Sequence, residues 1–380
     1  MPGLLPDVDP DGLLEYSVVY TDRAVNHMSR RFQGAMKDIS RTLKQVYNAR
    51  SAIIVPGGGT FGMEAVARQF ATGRHCMVIR NGWFSFRWSQ IFEMGSIPSK
   101  TTVLTAGPVD QGSQSPFAPP AIQDVVAAIR DQKPALVFAA HVETASGIML
   151  PMDYLRAVAD AVHAEGGLFV LDSIASGTIW VDMEAAGVDI LISAPQKGWS
   201  GPACAALVML NATARERIDE TTSTSFSCDL RKWLQIMEAY EQGGFAYHAT
   251  MPTDALLVLR DAMAEAEARG FEQLRMAQQA LGDRVRALLR EKGFKSVAAP
   301  GFEAPGVVVS YTDDDGIHSA KKFADAGVQA AAGVPLQCGE PDDFKTFRIG
   351  LFGLDKWDDI DRTVRNLERA LERIRPTAPA

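Results

Sequence analysis

The chain has 380 residues, 47% hydrophobic and 22% charged, which suits two or three cored domains and excludes a disordered chain, a collagen and a disulfide-rich mini-scaffold. Thirty-eight Lys+Arg against 46 Asp+Glu give a net charge of -8, which argues against a nucleic-acid partner, since phosphate contacts need a basic face.

Residues 1–10 contain no Lys or Arg and no apolar core, so they do not read as a signal peptide. No run of about 18 apolar residues occurs, and no membrane span is expected. Residues 1–25 show no period and read as an arm. From Asn26 the apolar positions Met28, Phe32, Met36, Ile39, Leu43 and Val46 step by three or four along one helical face. The short apolar run 51–55 then reads as a buried strand. It feeds Pro56 and a glycine cluster, and a helical pattern resumes over 61–70.

Further apolar runs at 135–140, 168–171, 190–192 and 205–210 alternate with helical texture such as 154–164. Buried strands joined by helical crossovers predict an α/β fold with a mostly parallel, mixed sheet. Beyond about 253 two long Ala/Leu/Glu/Arg-rich helical stretches follow, 254–269 and 271–292. Short apolar runs at 306–311 and 347–351 come next, then a closing amphipathic helix over 358–375. The expected organisation is an arm (1–25), a large domain (26–270) and a smaller α+β domain (271–380).

The four cysteines, Cys76, Cys204, Cys228 and Cys338, form no CxxC pair and no metal-ligand spacing. They read as reduced thiols of a cytoplasmic protein, with no metal. Gly57, Gly59 and Gly62 satisfy G-x-G-x-x-G between a strand and a helix. The dinucleotide reading also needs an acidic residue about 20 positions on. Residues 77–92 hold none, and no GK[ST] follows. What remains is a phosphate cradle of undetermined owner, built from backbone N–H groups at a helix start, with Thr60 adding a hydroxyl.

Asp172 closes the run 168–171, and Lys197 follows the run 190–192 within a few residues. Ligands of open α/β sheets bind beyond the carboxyl ends of the strands. A strand-end aspartate more often caps a turn, and a single lysine is usually solvated. Together, though, a phosphate cradle, a carboxylate for a pyridine nitrogen, a lysine for an aldehyde and the aromatics of 81–87 describe a site for pyridoxal 5′-phosphate.

From about residue 26 to 375 the chain resembles the class V aminotransferases of fold type I, in the alanine–glyoxylate and serine–glyoxylate branch. The resemblance rests on Gly58-Gly-Thr-Phe-Gly-Met-Glu64, Asn81-Gly-Trp-Phe84 with Arg87, and His141-Val-Glu-Thr-Ala-Ser-Gly147. It continues in Leu171-Asp-Ser-Ile-Ala-Ser176, in 193–198, in Tyr247-His-Ala-Thr-Met-Pro252 and in Arg348-Ile-Gly-Leu-Phe-Gly353.

The resemblance implies a pyridoxal-phosphate-dependent aminotransferase. It would move an amino group from a small amino acid to a small 2-oxo acid in ping-pong fashion. By it Lys197 is the Schiff-base lysine and Asp172 the partner of the pyridine nitrogen. Gly58, Gly59, Thr60 and Phe61 lie on the phosphate loop, and Phe84 stacks on the ring, with Trp83 as its neighbour. Thr144 contacts the ring oxygen region and Gln196 the phosphate side. Tyr247 and Thr250 reach the phosphate of a neighbouring subunit, which implies a homodimer with shared sites. Arg348 grips the substrate carboxylate. The chain departs from the family at 15–23, where a Pro-Gly-Pro stretch is usual. An aminophosphonate–pyruvate transaminase is the nearest alternative. A desulfurase-like or kynureninase-like lyase is a further one. Against the desulfurases stand Gln196 and Phe84, where they carry histidines.

Overall fold

The helical face expected after Asn26 forms α1 (Arg30–Tyr47). The Ser29 side chain caps its start by accepting from the Phe32 N–H, and Asn48 closes it in the left-handed conformation. Its stripe of Phe32, Met36, Ile39, Leu43 and Tyr47 is buried. Each such side chain contributes about 1.5–3 kcal/mol of apolar burial. The computed structural model describes residues 13–374. The reading of 1–10, residues 1–12 of the expected arm and the last six residues therefore lie outside the described residues.

Seven strands make the main sheet: β1 (Ser51–Pro56), β2 (His75–Arg80), β3 (Lys100–Thr105), β4 (Leu136–Ala140), β5 (Leu168–Asp172), β6 (Ile190–Ser193) and β7 (Ala205–Leu210). Their order is β1-β7-β6-β5-β4-β2-β3. Only β7 runs against its neighbours β1 and β6, and the pairs β6–β5, β5–β4, β4–β2 and β2–β3 are parallel. The sheet is therefore mixed and mostly parallel, as the alternation of apolar runs and helices predicts. Strands β4 to β7 are buried along their length, which explains why they read as unbroken apolar runs. β2 and β3 escaped the sequence reading. β3 lies at the sheet edge with Lys100, Thr101 and Thr105 exposed, so it carries no apolar run.

Helices α2 (Gly59–Val66), α3 (Trp83–Gly95), α4 (Ile122–Gln132) and α5 (Met152–Ala164) follow β1, β2, β3 and β4. α2 lies close on the sheet because of Gly62. A Cβ there would stand 2.6 Å from the Ala206 Cβ of β7. That contact sets where the α2 N-terminus emerges.

The later helices include α6 (Leu230–Glu241), α7 (Thr253–Arg269) and α8 (Phe271–Glu291). Gly270, at φ +88°, makes the break between α7 and α8. A smaller antiparallel sheet orders β8 (Val307–Tyr311), β10 (Thr346–Gly350) and β9 (Ala331–Ala332). The closing helix α9 (Ile360–Ile374) buries Val364, Leu367, Ala370 and Leu371. One apolar core surrounds the main sheet, and a second lies between α8, α9 and the small sheet.

Candidate active site

A cavity of about 380 Å³ opens at the carboxyl edge of the main sheet, between that edge and the small sheet. Its lining includes Gly59, Thr60, Phe84, Arg87, Thr144, Asp172, Gln196, Lys197 and Arg348. Phe84 reaches it and Trp83 does not; Trp83 packs against Phe86 instead, with ring centroids 5.7 Å apart. Gly58 stands just before the cavity as the cap residue of α2, and Phe61 is exposed. Tyr247 and Thr250 do not line it. Tyr247 is 52% exposed, and its hydroxyl lies 3.1 Å from that of Thr250 on the surface loop between α6 and α7.

Asp172 ends β5 in register with Ala140 of β4 and Ile192 of β6. It is 6% exposed and accepts a hydrogen bond from the Ile174 N–H at 2.9 Å. Burial pushes its carboxyl up to about 7, against the pull of that N–H; the charge of Glu143 pushes the same way, and that of Arg87 opposes it. This carboxylate is short of donors and is ready to accept a cationic N–H.

Lys197 lies in the turn after β6. Burial lowers the pKa of its ammonium, and the Arg348 charge lowers it further. Its Nζ sits 5.0 Å from the centroid of the Phe352 ring. The turn is held against the one that follows Asp172. A Cβ on Gly198 would stand 2.0 Å from the Gly177 carbonyl oxygen, so only glycine admits this approach. That packing brings two groups from separate strands to one cavity.

α2 starts at the cavity with no side chain capping it. The N–H groups of its first turn are thus a binding place for an anion. Arg87 donates to the Thr60 hydroxyl oxygen at 2.8 Å. On the opposite wall Arg348 of β10 donates from Nε to the Ala332 carbonyl at 2.8 Å. Burial lowers its pKa while the charge of Glu143 raises it. Arg87 and Arg348 lie over the Phe84 ring, 5.2 and 5.5 Å from its centroid. Arg87, Lys197 and Arg348 form no ion pair among the described residues. Thr144 Oγ1 is buried without a hydrogen-bond partner there.

Glu143 stands within the stretch 141–147 that carries the resemblance, and the sequence alone assigns it no role. Its carboxylate is 0% exposed and accepts from the N–H groups of Phe84, Ser85 and Ala145 and from the Ser85 hydroxyl. A glutamate followed by Thr-Ala-Ser carries no local sign of this, because three of its four donors stand on α3.

The family model for class-V aminotransferases matches residues 12–341. Rat alanine–glyoxylate aminotransferase is 25% identical over 92% of this chain and 83% of its own length. The 2-aminoethylphosphonate–pyruvate transaminase 2 of Paraburkholderia xenovorans is 27% identical over 93% of this chain and 90% of its own. A solved alanine–glyoxylate aminotransferase from Nostoc superposes with a TM-score of 0.77, at 21% identity, over 92% of this chain and 89% of that one. The chain belongs to the class-V aminotransferase family, has its fold, and takes pyridoxal 5′-phosphate as cofactor.

Proposed function

We propose that this class-V aminotransferase moves an amino group from a small amino acid to a small 2-oxo acid, glyoxylate or pyruvate, in two half-reactions at the described cavity. The observation that carries the reading is the convergence of Asp172, Lys197 and Arg348 on one cavity that also holds an uncapped helix start.

The residues fit the cofactor. The orphaned Thr144 hydroxyl, the donor-poor Asp172 carboxylate and the free N–H groups of α2 match its ring oxygen, ring nitrogen and phosphate in kind. Gly58, Gly59, Thr60, Phe61 and Gln196 would hold the phosphate, Phe84 the ring face, and Thr144 the ring oxygen side. When bound, the cofactor supplies an aldehyde carbon that takes the amino group and a ring that accepts electrons from the substrate C–H bond.

Asp172 holds a proton on the ring nitrogen by facing it with a negative charge. Burial lowers the pKa of Lys197, which favours the neutral amine that would bind the aldehyde carbon. Once the incoming amine had released it, Lys197 would take the proton from the substrate Cα and deliver it to the former aldehyde carbon, two bonds away across the shared nitrogen. Arg348 orients the substrate through its carboxylate with paired N–H donors. Apolar walls from Val307, Ala331 and Phe352 keep the substrate small.

Tyr247 and Thr250, exposed and paired at the surface, are read as facing the phosphate of a second copy, so the working form is a homodimer. Light scattering that gave a monomer would remove that part. Four free cysteines, three of them buried, support a cytoplasmic setting. Residues 26–270 are read as the cofactor domain and 271–380 as the domain that carries Arg348. The change of apolar core near α8 supports this.

Arg87 favours one second reading. It is a further guanidinium in the same cavity, without an ion pair among the described residues, and suited to a substrate with a phosphonate beside its amine. A screen of single half-reactions separates the two. Alanine, serine, glycine, aspartate and 2-aminoethylphosphonate are each added to cofactor-loaded protein, and loss of its visible absorption is followed. Bleaching by a small α-amino acid supports the first reading, and bleaching by the phosphonate alone replaces it. Protein that takes up no pyridoxal phosphate sinks both.

A further inference from the structure

Glu143 is a fully buried charged side chain that the proposed chemistry does not use. It does not line the cavity, and it forms no ion pair among the described residues. It stands in the two-residue strand Val142–Glu143, which pairs with Ile148–Met149 just after β4. Three of its four donors come from the first turn of α3. Oε1 accepts from the Phe84 N–H at 3.1 Å and the Ala145 N–H at 3.0 Å. Oε2 accepts from the Ser85 N–H at 2.8 Å and the Ser85 hydroxyl at 2.7 Å. Ser85 Oγ in turn accepts from the Asn81 N–H at 2.9 Å.

A carboxylate at a helix N-terminus gains from both the free N–H groups and the helix dipole. Here the same bonds have a second effect. Phe84 is the first-turn residue whose ring faces the cavity, and both guanidinium groups of the cavity lie over that ring. Fixing its N–H fixes where the ring starts from. The approach is built in on the other side as well. A Cβ on Gly82 would stand 2.7 Å from Glu143 Cγ, so the glycine makes room for the carboxylate.

We propose that Glu143 is a positioning residue, one that holds the Phe84 ring at the angle at which the cofactor stacks and the two arginines keep their places. This rests on the reading that pyridoxal phosphate occupies the cavity against Phe84. Glutamine in place of Glu143 keeps the shape but turns an amide NH₂ toward at least one backbone N–H donor, so one or two of the four bonds are lost.

The test measures cofactor binding to apoprotein in a double-mutant cycle of Glu143→Gln and Phe84→Leu. The readouts are the pyridoxal phosphate Kd and the induced visible circular dichroism. Glu143→Gln is expected to raise Kd about tenfold and weaken the dichroism, and the double variant to bind no worse than the weaker single. Wild-type Kd and dichroism in Glu143→Gln, with only the melting temperature lowered, would make Glu143 a helix cap and nothing more. Fully additive effects would mean that it acts without Phe84, and either result overturns the proposal. Should Glu143→Gln fail to fold, Ser85→Ala removes the shortest of the four bonds. It is expected to raise Kd about threefold, with the same lack of additivity. An unchanged or additive Ser85→Ala overturns the proposal too. Wild-type apoprotein that binds no cofactor would instead defeat the functional reading.

Discussion

The two edges of the main sheet each bury an aspartate, and they treat it differently. At the amino edge Asp189, just before β6, accepts from the Phe169 N–H and faces His163 Nε2, each at 2.7 Å, and accepts from Asn211 Nδ2 at 2.7 Å. At the carboxyl edge Asp172 has one N–H donor, from Ile174. Both are nearly inaccessible, at 2% and 6%. The first carboxylate is spent on holding α5, β5 and the segment after β7 together. The second is left expensive, and a ligand that brings a positive charge lowers that cost.

Mutations at the two edges should part function from stability. The largest effect belongs to Lys197→Ala, which should lower transamination at least about a thousandfold, because the base is gone. Near-normal turnover would remove Lys197 from the chemistry and with it the functional half of the contrast.

Asp172→Asn should follow, with kcat down roughly a hundredfold through loss of the charge facing the ring nitrogen. It has a second signature in apoprotein. The carboxyl of Asp172 is raised from 3.8 to about 7 by burial, so the fold binds a proton there that the unfolded chain releases. Its stability contribution is complete below about 3.8 and is lost as pH rises to 7. The melting temperature of Asp172→Asn apoprotein should therefore gain on wild type over that window. Parallel curves would show that the carboxyl is not strained by burial.

Arg348→Ala should raise KM for the amino acid about ten- to a hundredfold, the cost of a charge-assisted pair. An unchanged KM would place the substrate carboxylate elsewhere. Asp189→Asn inverts the pattern. It should cost about 1–3 kcal/mol of stability and leave kcat alone. Loss of kcat comparable with that of Asp172→Asn would erase the distinction between the edges.

The smallest effect concerns His163. Its hydrogen bond to Asp189 raises its pKa above the ordinary 6.5; burial opposes this, the charges of Asp189 and Asp160 assist, and that of Arg217 opposes. The stabilisation is present below 6.5 and fades as pH rises through the higher folded value. With His163 itself partly exposed the pair contributes little, so His163→Gln should remove a melting-temperature drop of at most about 3 °C. A drop that persists in His163→Gln belongs to another group.

The carboxyl edge was largely legible from the residues. Apolar runs marked β4 to β7, because strands buried on both faces cannot alternate. Asp172 and Lys197 stood out as charges directly after such runs, where the sheet places its ligands. The edge strand β3 was not legible, since Lys100 and Thr101 face solvent. Nor was Glu143, whose partners Phe84 and Ser85 lie 59 and 58 residues earlier. Only the folded contact across Gly82 shows why a glutamate belongs there. Arg348 was found by resemblance alone. Its strand β10 runs antiparallel to both β8 and β9 in a sheet of its own, so no strand-end rule points to it.

The contact of Gly198 with Gly177 decides where this enzyme can be redesigned. A Cβ at position 198 would run into the Gly177 carbonyl, so the turn that carries Lys197 admits no side chain there. The facing wall, made by the side chains of Val307, Ala331 and Phe352, has no such restriction. A library aimed at new amino donors would do best to leave the sheet edge and Phe352, whose ring lies against Lys197 Nζ, untouched and to vary Val307 and Ala331.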